Sequence, residues 1–74
     1  MITTKRKQRL LIESIGYDLP TNTLEIEFSD KAVYQYFDVP KHMYKQLMAE
    51  KRKYKFFEKS IRSQYAFARV DDEK

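Results

Sequence analysis

The chain has 74 residues, with 15 Lys and Arg against 11 Asp and Glu, six tyrosines, five phenylalanines and no cysteine. That length holds one domain, which buries a small share of its surface and leans on the large buried area of its aromatic rings. No disulfide can staple it, no apolar run nears the roughly 20 residues of a membrane span, and the basic start is not followed by a long apolar core as in a secretory signal. The expectation is therefore a soluble cytoplasmic protein.

Residues 1–9 are a basic arm, carrying Lys5, Arg6, Lys7 and Arg9 and no acid. "LLIESIGY" follows, apolar enough for a strand. Its Ile12 and Ile15 are three apart and break simple alternation, and the single glycine, Gly16, is a candidate for a bulge there. "DLPTNT" is turn-rich. "TLEIEFS" sets Leu24, Ile26 and Phe28 against Glu25 and Glu27, the pattern of a half-buried strand. "AVYQYFD" is a third strand, and the short links make the three an antiparallel meander.

At Pro40 the period changes. Proline suits the first turn of a helix, and Met43, Tyr44, Leu47 and Met48 then form one apolar stripe. A second helix is expected from about Lys53 to about Gln64, burying Phe57 and Ile61. "YAFARV" puts Tyr65, Phe67 and Arg69 on one side of a short extended segment laid over the core, and the acidic "DDEK" is a tail. The fold class expected is α+β: a three-stranded antiparallel meander followed by two helices, β-β-β-α-α. Residues 1–9 are the arm, 10–70 the domain and 71–74 the tail.

Charge divides the chain. Residues 10–40 carry six acids against Lys31, while residues 41–70 carry nine basic residues against Glu50 and Glu58. Such asymmetry points to an anionic partner for the basic half.

"IGYD" (Ile15 to Asp18), "LEIEF" (Leu24 to Phe28), "VYQY" (Val33 to Tyr36), Val39-Pro40, Tyr44, Leu47, Phe56-Phe57, Ile61-Arg62, Tyr65 and Arg69-Val70 occur in order over residues 12–70. This set resembles the KTSC domain, found at the C-terminus of some lysyl-tRNA synthetases and as a free-standing small bacterial protein. The resemblance implies a strand-rich first half with a Tyr-x-Tyr motif, then helices, and RNA as a partner through the synthetase context. The chain departs from the family's pattern in three places. Arg9, Leu10 and Leu11 stand where two serines are expected, Tyr54 and Glu58 where glycine and asparagine flank the Phe pair, and Asp30-Lys31 where the hairpin has Asn-Gly or Gly-Gly.

The face taken by Tyr34 and Tyr36 depends on one loop. A two-residue turn, Asp30-Lys31, puts them across from Glu27 and Glu25, opposite the apolar side chains; the resemblance implies this register. A three-residue loop pairs Phe28 with Ala32 and sends both tyrosines into the core; the local chemistry favours it, since Asp-Lys is a poor two-residue turn. Neither register makes a good base-stacking platform. In the first the rings share a face with carboxylates, and in the second they are packed away.

The stronger candidate for nucleic acid is the basic half. Lys55, Lys59 and Arg62 fall at i, i+4 and i+7. Lys51, Arg52 and Lys53 lead into them and Arg69 follows, with Tyr54, Phe56, Tyr34 and Tyr36 as candidate aromatic contacts. The plainer account of the same charges is a solvated helix face, and Arg62 or Arg69 could equally brace an acid of the sheet. The single histidine, His42, with no cysteine beside it, makes no metal site. Ser14, Ser60 and Ser63 lack a base, and one glycine cannot build a phosphate loop. No catalytic residue, cofactor or small-molecule substrate is expected. Two functions follow: a non-enzymatic module binding RNA or single-stranded nucleic acid, or a small protein-binding adaptor or regulator, phage- or mobile-element-derived, acting on the transcription or translation machinery.

Overall fold

The computed structural model describes residues 11–70; the basic arm and the acidic tail lie outside them. Strands β1 (Ile12–Asp18), β2 (Thr23–Phe28) and β3 (Val33–Tyr36) are followed by helices α1 (Lys41–Ala49) and α2 (Lys53–Ser60), then by strand β4 (Phe67–Arg69). The sheet runs β1-β2-β3-β4, every neighbouring pair antiparallel. It thus has four strands where the sequence predicts three. The C-terminal extended segment does not lie over the core but completes the sheet, because β3 would otherwise be left with an unpaired backbone edge.

Strand β2 is the spine. Leu24 and Ile26 are fully buried and Phe28 nearly so, while Glu25 points to water on the other face. The helices cover the apolar face, and Val39, Leu47, Phe57 and Ile61 complete the core with Tyr36. The broken alternation of β1 is real, but its bulge falls between Ile12 and Ser14, while Gly16 pairs regularly with Glu25. An extra residue at Glu13 is what lets Ile12 and Ile15, three apart, both pack on the core.

The loop after Phe28 holds three residues. The Phe28 N–H donates to the Ala32 carbonyl at 2.9 Å, and the Lys31 N–H donates to the Phe28 carbonyl at 2.9 Å. Lys31 takes φ 75° and the Asp30 carboxylate accepts the Ala32 N–H at 3.0 Å. This is a tight turn followed by a left-handed residue, the usual three-residue hairpin. The register that results, Leu24 opposite Tyr36 and Ile26 opposite Tyr34, puts both tyrosines on the core side, against the two-residue register implied by the resemblance.

Pro40 sits at the cap just before α1, with φ −65° and ψ 152°, and its carbonyl accepts the Met43 N–H at 2.9 Å. Met48 leaves the predicted stripe and is exposed, lying roughly 140° around the helix from Met43. Helix α2 stops at Ser60, short of Gln64. The Phe57 carbonyl accepts the N–H groups of both Ile61 and Arg62 at 2.9 Å, and this wider turn buries Ile61 and redirects the chain toward β4. Tyr17 fastens the other end of the sheet to α1: its hydroxyl donates to the Val39 carbonyl at 2.6 Å and its ring stacks on Tyr44 at 4.8 Å.

Candidate nucleic-acid interface

Phe57 is the anchor of α2, with 2% of its surface exposed. Side chains about 100° and 200° around the helix from an anchor turn progressively outward. Phe56 is accordingly half-buried at the rim of the core, while Lys55 and Lys59, one turn apart, are exposed. The link from α1 to α2 is only Glu50, Lys51 and Arg52. It is held by the Lys53 ammonium, which donates to the Glu50 carbonyl at 2.8 Å and so satisfies a backbone group at the end of α1.

These constraints place Lys51, Arg52, Lys55 and Lys59 around one open groove, with Phe56 and Ser60 in its wall and Glu50 as its one carboxylate. Four cations beside an aromatic ring can neutralise phosphates and pack against a sugar or base. His42 is exposed on α1 and does not line the groove. Among the described residues no group of three or more His, Cys, Asp or Glu comes together as a metal would need, and no helix is long and apolar enough to cross a membrane.

The other predicted residues are dispersed. Lys53 is occupied as a helix cap. Arg62 falls beyond the end of α2 and pairs with Glu58 at 2.8 Å. Arg69 lies on β4, its guanidinium carbon 6.0 Å from the Tyr34 ring centroid. Tyr54 is half-buried and packs on Phe28 and Phe57, with ring centroids 6.2 and 6.0 Å away. Tyr36 is 3% exposed and packs edge-on to Phe57 at 5.3 Å, so as a free stacking surface it is ruled out. Burial pushes its phenol up to about 12; the neighbouring Tyr34 and Tyr54 phenols add to the shift and the Arg62 guanidinium opposes it. Tyr34 is half-buried between Phe28 at 5.9 Å and Phe67 at 5.7 Å.

Phe67 is the residue that sequence reasoning leaves without a role. It is 53% exposed on the same side of the sheet as Tyr34 and Tyr36. The alternation of "YAFARV" already groups it with Arg69; what that pattern lacks is the strand against which the segment pairs.

A four-stranded antiparallel meander carrying two helices on one face is a small α+β fold, and a fold of this kind leaves its function to the side chains on its surface. The family model of the KTSC domain matches residues 10–65, and the chain belongs to that family. A solved crystal structure of a KTSC domain protein from Yersinia pestis is similar to it, with a TM-score of 0.78 and 33% identity over 81% of this chain and 84% of that one. No curated protein matches the chain.

Proposed function

We propose that this KTSC domain is a non-enzymatic module that binds RNA or other single-stranded nucleic acid, with the groove of Lys51, Arg52, Lys55 and Lys59 on the phosphates and Phe56 against a sugar or base. The observation that carries the reading is the convergence of those four cations and one aromatic ring on a single open groove. A flexible single strand fits such a groove better than a rigid duplex, because its backbone can follow a short curved track and its bases are free to pack. The reading puts the protein in the cytoplasm, with its RNA.

The test is fluorescence anisotropy with labelled single-stranded RNA and DNA over a range of salt. Neutralising four phosphates gives a slope of log K against log salt of about −3. Lys55→Glu with Lys59→Glu is expected to lower affinity at least about tenfold without changing the circular dichroism, since both side chains are exposed. Affinity equal to that of an unrelated protein of the same charge refutes the reading.

One observation favours a second reading, a protein-binding adaptor. The open sheet face is acidic and polar: Glu25 accepts from the Gln35 amide at 2.9 Å and Glu27 from the Ser14 hydroxyl at 3.2 Å. Carboxylates oriented by hydrogen bonds, Glu25 exposed and Glu27 half-buried, suit a basic protein surface. A partner recovered from lysate that survives nuclease treatment supports the adaptor; one that disappears supports nucleic acid.

A further inference from the structure

The β3–β4 edge holds a second cluster, apart from the groove. Register sets Phe67 opposite Tyr36 and Arg69 opposite Tyr34, and directly opposed residues of an antiparallel pair share a face. The Phe67 ring lies 5.4 Å from Tyr36 and 5.7 Å from Tyr34, centroid to centroid. Its place on the strand is fixed by backbone bonds on both sides: the Phe37 N–H donates to the Ala66 carbonyl at 2.9 Å, and the Val70 N–H donates to the Val33 carbonyl at 2.8 Å. A scattered exposed phenylalanine means little. Phe67 differs because one flank of its ring is held against two tyrosines while the residue stays 53% exposed.

One guanidinium group belongs to the same corner. Arg69 lies over the Tyr34 ring at 6.0 Å. A ring held on one flank by two tyrosines, with a planar cation beside it, matches an unpaired base of a single strand. A peptide added to the sheet edge is a poorer match, because β4 offers only three residues.

We propose that Phe67 is a stacking shelf for one unpaired nucleobase, on the sheet edge that also carries Arg69. This rests on the nucleic-acid reading above and adds to it a second contact point and a ligand chemistry, a base and not only a backbone.

The chain has no tryptophan, so Phe67→Trp installs a single indole whose emission is quenched when a base stacks on it. The probes are an oligouridylate of about eight nucleotides and an abasic strand of equal length. The expected result is quenching by the first and not by the second. Phe67→Ala is expected to weaken oligouridylate binding about tenfold and to leave the abasic strand's affinity unchanged. Equal quenching by the two strands, or an alanine variant that binds both like the parent, overturns the shelf while the salt-dependent groove reading stands. If the unmodified protein binds neither strand, both fall. Quenching by a polyglutamate peptide as strong as that by oligouridylate overturns the shelf in favour of a protein partner.

Discussion

Tyr36 shows how one position can be misjudged from its neighbours. A Tyr-x-Tyr pair on a strand looks like a surface for bases, yet Tyr36 is packed against Phe57 and Phe67 and is nearly sealed from water. Burial favours the neutral phenol, which is why its pKa rises from 10.0 to about 12. In the unfolded chain the phenol ionises at its ordinary value, so above pH 10 the unfolded state loses a proton that the native state keeps. Stability therefore holds below pH 10 and falls as pH climbs toward 12. Urea midpoints of the wild type and Tyr36→Phe, measured across that window, are expected to show the wild type falling relative to the variant as pH rises. A wild type that loses no more than the variant contradicts the burial argument.

At the scale of elements, the decisive feature is the loop of Ser29, Asp30 and Lys31. Lysine at φ 75° bears the strain of a Cβ in the left-handed region, which glycine avoids. Lys31→Gly is expected to raise stability by about 0.5–1 kcal/mol, read as a higher urea midpoint with an unchanged slope, because the gain exceeds the added freedom of the unfolded chain. A loss of stability would mean that the left-handed residue is not strained. The same loop sets the register of β2 on β3, and β3 in turn positions β4. Phe67 and Arg69 thus owe their place beside the tyrosines to a turn near the middle of the chain.

At the scale of the molecule, charge is sorted onto two sides. Glu25 and Glu27 lie on the sheet face away from the helices, and Lys51, Arg52, Lys55 and Lys59 surround the groove on the helical side. A polyanion approaching such a molecule is repelled from one side and drawn to the other, within a Debye length of about 10 Å at 0.1 M salt. On the proposed nucleic-acid function, Glu25→Gln with Glu27→Gln is expected to raise affinity for single-stranded RNA less than about threefold at low salt and to leave the salt slope unchanged, because the slope would count phosphates at the groove and not at the sheet face. A steeper slope in that variant would place phosphates on the sheet face and contradict the assignment of the groove.

Much of this was legible in the sequence. The alternation of Leu24, Ile26 and Phe28, the change of period at Pro40 and the order of the residues from Ile15 to Val70 determined the family, three of the strands and both helices. Local patterns suffice there because each depends on residues adjacent in the chain. The tertiary structure alone decided the rest. It placed the bulge at Glu13 and not at Gly16, made the C-terminal segment a fourth strand, ended α2 at Ser60, and parted Arg62 and Arg69 from the lysines of the groove. Each of these turns on a pairing between distant segments, and a shift of one residue in such a pairing changes which face a side chain takes without changing a letter of the sequence.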